Sequence, residues 1–247
     1  MDEQLFFSMF EGLPRQGPGS DECTAKAFSM VSGIPRDARV LDIGCGSGMQ
    51  TLALARLCPG CRITAVDIHQ PFLNDLTTRA EEAGFGGRIT TVRASMDDLS
   101  FDSGSFDLIW AEGSAYIMGF DNALRSWKRF LRPGGHVVVS ECVWFTDTPA
   151  ARCKEYFAEI YPAMRTEHEV EAAIRSAGYT FQNSFRLPAP GWWAQYYIPL
   201  ERRLELFERE YGGNEEAMAL VRSTREEMEV HRRYSREYGY AYFIMRA

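Results

Sequence analysis

The stretch VLDIGCGSG, residues 40–48, decides the fold class of this chain. An apolar run enters a loop with glycine at positions 44, 46 and 48, and a helical pattern starts at Met49. Glycine accepts positive φ and lets backbone amides approach a ligand, while the following helix directs its N-terminus at the same point. A strand, a glycine loop and a helix in this order predict a ligand site at the carboxyl end of a parallel sheet.

Strands and helices alternate around this loop with short connections, which indicates a parallel sheet covered by helices. The strands are predicted at 39–43, 62–67, 89–93, 106–111 and 136–141, and the helices between them at 22–33, 49–57, 71–83 and 122–130. Beyond residue 145 the pattern predicts helices at 150–162 and 167–177, a strand at 179–187, an irregular aromatic segment at 188–199, two helices within 200–236 and a closing strand at 240–246. The expected fold class is a doubly wound, Rossmann-like α/β sheet with helices on both faces.

Composition and charge exclude several classes of protein. The chain of 247 residues has 34 acidic and 27 basic side chains, which gives a formal charge of −7. A net acidic surface opposes nucleic-acid binding, and no long run of Lys or Arg overrides it. The N-terminal segment lacks the basic start of a secretion signal, and no apolar run reaches the ~18 residues of a membrane span. We therefore expect a cytoplasmic protein without nucleic-acid or membrane partners, and leave a homodimer open.

The cysteines include one CxxC, at Cys58 and Cys61, a spacing found both in redox pairs and in zinc sites. The chain offers no second pair of ligands at zinc spacing, so we expect no metal site. A thioredoxin-type pair precedes a helix, whereas this one follows an apolar helical run and precedes a strand. The pattern favours a Pro-Gly turn that ends a helix, and a reducing compartment requires no pairing of the six cysteines.

The second predicted strand ends at Asp67, 19 residues after Gly48. An acidic side chain at this place can accept both hydroxyls of a ribose. A dinucleotide loop reads GxGxxG or GxGxxA, but here the third glycine comes one residue early and position 49 is Met. The departure favours an adenosine ligand without a pyrophosphate.

The motif Asp42, Gly44, Gly46, Gly48 resembles the (E/D)xGxGxG signature of class I S-adenosylmethionine-dependent methyltransferases. The segments RQGPGS at 15–20 and EGSAYIMGF at 112–120 are similar to a small-molecule subgroup close to the ubiquinone-biosynthesis methyltransferases. The resemblance covers roughly residues 15–145 in motif order. It implies a seven-stranded, mostly parallel sheet with an antiparallel last strand and a helical and aromatic cap insertion.

On this resemblance we expect a single domain, 1–247. Within it lie an N-terminal lid and helix (1–38), a cofactor-binding core (39–145), a cap with insertion helices and the sixth strand (146–236), and a closing strand (237–247).

The resemblance implies S-adenosylmethionine as the cofactor and assigns its contacts. Asp67 holds the ribose, Ile68 packs on the adenine, and Arg15 pairs with the methionine carboxylate. Many relatives have Asp where Ser95 stands, so Ser95 or Asp97 must bond the adenine amine, or that bond is missing. The full expected set is Arg15, Gly17, Ser20, Asp42, Gly44, Gly46, Gly48, Asp67, Ile68, Ser95, Met96 and Glu112. For the segment at 15–20, a turn followed by a helix cap at Ser20 or Asp21 is the compatible alternative.

Methyl transfer from a sulfonium depends mainly on holding the nucleophile in line with the methyl group. Glu112 and Tyr116 are the expected catalytic residues, with cofactor binding as the alternative for Glu112 and Glu141 as a further candidate or a structural carboxylate. Aromatic residues of the cap, represented by Trp144, Trp192 and Tyr196, either cover a small-molecule acceptor or pack the core.

Two other functions stay open at this point. One is a non-catalytic protein that binds an adenosyl ligand, and the other is a nicotinamide-dependent dehydrogenase. The spacing of the glycine loop argues against the dehydrogenase, because it departs from the dinucleotide motif.

Overall fold

A computed structural model describes residues 3–247, and its centre is an eight-stranded sheet in the order β3-β2-β1-β4-β5-β8-β7, with β6 paired to β5. The strands are β1 Arg39–Ile43, β2 Arg62–Asp67, β3 Ile89–Arg93, β4 Phe106–Glu112, β5 Leu131–Trp144, β6 Arg165–Thr166, β7 Thr180–Arg186 and β8 Tyr238–Arg246. Strand β8 runs antiparallel to both of its neighbours. The predicted doubly wound sheet with an antiparallel last strand is confirmed, and the two-residue β6 is the strand that the sequence did not indicate.

The helices are α1 Glu3–Phe10, α2 Asp21–Ser29, α3 Met49–Leu57, α4 Gln70–Glu82, α5 Phe120–Trp127, α6 Ala151–Ile160, α7 Glu167–Ser176, α8 Ala189–Trp192, α9 Ile198–Tyr211 and α10 Glu215–Tyr234. A short 3-10 turn, Ala115–Met118, follows β4, and a π-helical turn, Trp193–Tyr197, joins α8 to α9. The prediction of an irregular segment at 188–199 is therefore wrong. Pro188 is the N-cap of α8, and Pro190 and Pro199 lie in the first turns of α8 and α9, where proline is tolerated.

Successive apolar side chains of the strands point alternately to the two faces of the sheet. Val40, Trp110 and Ile244 belong to one buried cluster, which includes residues of α1, α4, α9 and α10. Leu41 and Phe243 belong to the other, which α5 and α7 cover. Because successive strand residues face opposite sides, both faces are buried, as a doubly wound sheet requires.

The predicted Pro-Gly turn is present after α3. Cys61 N donates to Cys58 O at 3.1 Å, and α3 ends at Leu57. The two cysteines are bonded as a disulfide, with 5.3 Å between their Cα atoms, which lies within the range that a disulfide spans. The expectation that the cysteines need no pairing is wrong for Cys58 and Cys61, because the turn brings their two thiols together. Among residues 3–247, no helix is both long and apolar enough to cross a membrane.

Candidate active site

A cavity of about 300 Å³ lies at the carboxyl ends of β1, β2 and β4. This is the edge that the glycine loop predicts, because parallel strands all present their carboxyl ends there. Of the expected cofactor residues, nine line the cavity: Arg15, Gly17, Gly44, Gly46, Asp67, Ile68, Ser95, Met96 and Glu112.

The glycine loop fits so tightly that its first two glycines leave no room for a side chain. Gly44 has a φ of +73°, and a Cβ there would come within 2.5 Å of the Ser114 Cβ. At Gly46, with a φ of +53°, a Cβ would strike the side-chain amide of Gln16. Glycine is therefore required here both for its backbone angle and for close packing.

Asp67 connects the loop to the second strand. Its Oδ2 accepts from Gly46 N at 2.8 Å, and its Oδ1 accepts from His69 N at 2.9 Å. Burial raises the pKa of this carboxyl, and the two backbone amides partly oppose that shift. Asp67 thus shapes the glycine loop and also presents carboxylate oxygens to the cavity.

Arg15 reaches the cavity from the N-terminal segment and pairs with Glu112 at the end of β4. Arg15 Nη1 lies 3.3 Å from Glu112 Oε2, and each side chain is only 5% exposed. Glu112 Oε1 also accepts from the Thr24 hydroxyl at 2.7 Å and from the Trp110 indole at 2.9 Å. With three donors already on its two oxygens, Glu112 is placed to hold Arg15 rather than to take a proton.

Helix α1 lies against the same cavity through Phe6, Phe7 and Phe10. The Phe7 ring stacks on His69 with 4.5 Å between the ring centroids. His69 Nε2 lies 2.8 Å from Glu11 Oε1, so a polar contact also joins the end of α1 to the chain after β2. Sequence reasoning missed these phenylalanines, although their spacing in EQLFFSMF is the available signal.

The residues that the resemblance assigns to the adenine, Ile68, Ser95 and Met96, all line the cavity. Ile68 is 44% exposed, which leaves an apolar surface open to a flat ring. Met96 O accepts from the Trp127 indole at 3.2 Å, so packing from α5 fixes this loop. Asp97 is exposed and does not line the cavity, which leaves Ser95 as the nearer of the two polar candidates.

Three residues of the expected cofactor set lie away from the cavity wall. Ser20 caps α2, since its hydroxyl accepts from Cys23 N at 3.1 Å. Gly48 has a φ of +84°, and a Cβ there would strike Leu76 of α4. Asp42 is fully buried, accepts from the Thr51 hydroxyl at 2.5 Å, and has its pKa raised to about 7 by burial. Asp42 thus bonds α3, Gly48 packs against α4, and Ser20 stabilises the start of α2.

Tyr116, the second expected catalytic residue, lies in the cavity wall and is 42% exposed. Loss of hydration around its hydroxyl, followed by the charges of Glu227 and Glu141, raises its pKa to about 12. The phenol is therefore neutral near pH 7 and can donate a hydrogen bond.

The expected acceptor residues Trp144, Trp192 and Tyr196 do not line the 300 Å³ cavity. Trp192 is 4% exposed and stacks on His231 with 4.0 Å between the ring centroids. Trp144 packs edge-on against Phe157 at 5.2 Å. Tyr196 is 6% exposed and lies near Tyr116, whose charge state affects its pKa.

The strand order, the antiparallel β8 and the glycine loop after β1 define the class I methyltransferase type of α/β fold. Residues 40–135 match a family model described as "Methyltransferase domain". The resemblance to the class I S-adenosylmethionine-dependent methyltransferases is therefore confirmed over these residues.

Curated relatives match part of this chain. The ubiquinone/menaquinone biosynthesis C-methyltransferase UbiE of Hahella chejuensis is 36% identical over 112 residues, which are 44% of this chain and 45% of that protein. The sarcosine/dimethylglycine N-methyltransferase of Halorhodospira halochloris is 27% identical over 75% of this chain and 66% of that protein. The chain thus spans about half the length of the UbiE relatives that it matches.

Solved structures share the fold over nearly the whole chain. A SAM-dependent methyltransferase from Geobacter sulfurreducens, in complex with S-adenosyl-L-homocysteine, has a TM-score of 0.83 at 22% identity, with 98% of this chain and 97% of that chain covered. A second one, from Thiobacillus denitrificans, has a TM-score of 0.83 at 21% identity and covers 99% of both chains.

Proposed function

We propose that the protein transfers a methyl group from S-adenosylmethionine to a small-molecule acceptor and releases S-adenosylhomocysteine. The observation that carries this proposal is Asp67, fixed by Gly46 N and His69 N beside the glycine loop. A carboxylate in this place suits the two ribose hydroxyls of an adenosine. The cavity of about 300 Å³ is of metabolite size.

The residues around the cavity fit this cofactor. Asp67 would hold the ribose, Ile68 and Met96 the faces of the adenine, and Ser95 its polar edge. Arg15 would hold the methionine carboxylate. Among the described residues its Nε is buried without a hydrogen-bond partner, and a buried guanidinium N–H favours an anionic acceptor. The cofactor itself supplies an electrophilic methyl group on a sulfonium.

The hydrogen bonds and the ion pair at the cavity indicate which residues would position the reactants. Glu112 positions Arg15, and Thr24 and Trp110 in turn hold Glu112. Tyr116 keeps its proton and orients an acceptor at the cavity wall. Helix α1 covers the cavity and excludes water, which favours reaction over hydrolytic side reactions. The chain acts as a single domain in this proposal.

A small acceptor is supported by the net charge of −7, which opposes polyanions, and by the relatives. One is a ubiquinone/menaquinone biosynthesis C-methyltransferase, and another is a sarcosine/dimethylglycine N-methyltransferase.

The test is turnover. The purified protein is incubated with S-adenosylmethionine and a fractionated metabolite extract, and S-adenosylhomocysteine is measured by mass spectrometry. We expect release that depends on one extract fraction and is abolished in Asp67→Ala. Tight binding of the cofactor with no release in any fraction would instead favour a non-catalytic adenosyl-binding protein.

A further inference from the structure

A chain of contacts leads from the cofactor cavity into a second polar region. The ring of Tyr116, in the cavity wall, lies 5.7 Å from the ring of Tyr161. The Tyr161 hydroxyl donates to Glu141 Oε1 at 2.8 Å. Glu141, near the end of β5, is only 2% exposed, and its Oε2 has no hydrogen-bond partner among residues 3–247. A buried carboxylate oxygen without a partner is unfavourable unless a ligand supplies one.

A second carboxylate, Glu227 of α10, lies in the same region. Its Oε1 accepts from the Tyr197 hydroxyl at 2.8 Å. The charges of Glu227 and Glu141 both raise the pKa of Tyr116, so the two carboxylates act on the same phenol. Tyr196 and Tyr240 belong to this group, because burial and then the nearby charges, including that of Tyr116, raise the pKa of each. We name Tyr116, Glu141, Tyr161, Tyr196, Glu227 and Tyr240 the tyrosine–glutamate cluster.

The cluster begins at the wall of the 300 Å³ cavity, which Tyr116 lines, and the Tyr240 ring lies 3.5 Å from the Cβ position of Gly113, another wall residue. Burial raises the pKa of Tyr240 well above its ordinary value, and burial also raises the pKa of Glu227. Yet both side chains keep accessible surface, as do Tyr116 and Tyr161. These four residues are therefore partly accessible to solvent.

The charges of the cluster are unbalanced. Arg165 is a cation that acts on Glu141, but its guanidinium donates to Asp121 at 3.0 Å. The pKa of Glu227 responds to burial and to the Tyr197 hydroxyl, with no cationic side chain of the described residues contributing. The two carboxylates therefore lie in a region of low dielectric constant, and a bound cation would stabilise their charged forms.

We propose that the tyrosine–glutamate cluster binds the methyl acceptor as a small alkylammonium ion, with Glu141 and Glu227 as its counter-charges and the tyrosine rings around its alkyl groups. The proposal rests on the proposed methyl transfer and names its acceptor class. Aromatic faces attract cations, and the effect is strongest where water is excluded. A phenol acceptor is disfavoured, because it would have to become a phenolate beside two carboxylates.

Glu141 also has a free site for the proton that an ammonium acceptor must lose. The N–H proton passes to Glu141 Oε2, and the electron pair of that bond stays on nitrogen as the attacking lone pair. This pair would form the new bond to the methyl carbon while the carbon–sulfur bond breaks, and the electron pair of that bond would go to the sulfur of the leaving S-adenosylhomocysteine. Burial raises the pKa of Glu141 to about 7, which places it within reach of an exchangeable proton near neutral pH.

Binding to the protein saturated with S-adenosylhomocysteine tests this without turnover. Choline and 3,3-dimethylbutan-1-ol have the same shape and differ in charge, so calorimetry with both probes isolates the contribution of the cation. We expect choline to bind about tenfold more tightly than the neutral alcohol. We expect Glu141→Gln and Glu227→Gln each to remove most of that preference, and affinity for S-adenosylhomocysteine to stay within about twofold.

Glu229→Gln is the matched control, since Glu229 is an exposed residue of α10 that pairs with Arg232. It removes the same charge outside the cluster and should leave choline binding unchanged. Equal affinity for the two probes in the wild-type protein, or equal losses in Glu229→Gln and Glu227→Gln, overturns the proposal. Failure of S-adenosylhomocysteine to bind at all would instead contradict the proposed methyl transfer, and choline titrated into the free protein would still report on the cluster.

Discussion

Arg15 and Glu112 form an ion pair of 3.3 Å between residues 97 positions apart, with both side chains only 5% exposed. The pair ties the N-terminal segment to the end of β4. Arg15 Nη2 also donates to Asp21 Oδ1 at 2.8 Å, at a carboxylate that is 42% exposed. The guanidinium is thus oriented from two sides at the cavity wall.

Glu112→Gln should weaken S-adenosylhomocysteine binding by about tenfold, because Arg15 loses its buried counter-charge and its fixed orientation. Calorimetry measures the affinity, and thermal unfolding shows whether the fold survives. Asp21→Asn is the control at the exposed partner of Arg15, and it should change affinity much less. Equal losses of S-adenosylhomocysteine affinity in the two variants would mean that Glu112 orients Arg15 no more than the exposed Asp21 does.

Asp67→Ala should weaken S-adenosylhomocysteine binding by about 2 to 4 kcal/mol, because two ribose hydroxyls and two backbone amides lose a charged acceptor. Asp102→Ala removes one exposed carboxylate elsewhere and serves as the control for net charge. Both variants are titrated by calorimetry. A collapse of the melting temperature with unchanged affinity per folded molecule would make Asp67 a structural residue only.

Asp42→Asn should change the pH dependence of stability. Burial raises the pKa of Asp42 to about 7 in the folded chain, so the folded state holds this proton more tightly than the unfolded state. The resulting stability is present at low pH and is lost as the pH rises from about 4 to about 7. Asn does not titrate, so the free energy of unfolding of Asp42→Asn relative to wild type should rise between pH 5 and pH 8 by on the order of 2 kcal/mol.

Urea unfolding at both pH values measures that difference. Asp37→Asn, at an exposed carboxylate just before β1, is the control and should show no such trend. A constant difference between Asp42→Asn and wild type at pH 5 and pH 8 would show that Asp42 is ionised in the folded protein.

Trp192→Ala should lower the free energy of unfolding by about 3 to 5 kcal/mol, because a buried indole stacked on His231 leaves a cavity. Trp193→Ala, at the half-buried neighbour, should lower it less. Denaturant titration compares the two. If Trp192→Ala unfolds like the wild type and loses acceptor turnover alone, the lid role expected from the sequence is the better description.

The sheet and the glycine loop could be predicted because their signals are local. VLDIGCGSG carries the strand, the turn and the helix start in nine adjacent residues, and Asp67 follows at the end of the next strand. The contacts of α1 could not be predicted from the sequence. The stacking of Phe7 on His69 depends on the tertiary packing of α1 against the chain after β2. The helices at 188–199 were missed because prolines end helices and also begin them.

The tyrosine–glutamate cluster is a further product of tertiary packing. Glu141 comes from β5 and Glu227 from α10, and no spacing in the sequence relates the two. The same holds for Arg15 and Glu112, which only the resemblance assigned to one site.

Calorimetry with S-adenosylhomocysteine and with NAD⁺ asks whether the cavity beside Asp67 is an adenosyl site without room for a pyrophosphate, on which the proposed methyl transfer depends. We expect S-adenosylhomocysteine to bind the wild-type protein, NAD⁺ not to compete with it, and Asp67→Ala to weaken its binding. Tighter binding of NAD⁺ than of S-adenosylhomocysteine would show that the cavity is not the site of a methyltransferase.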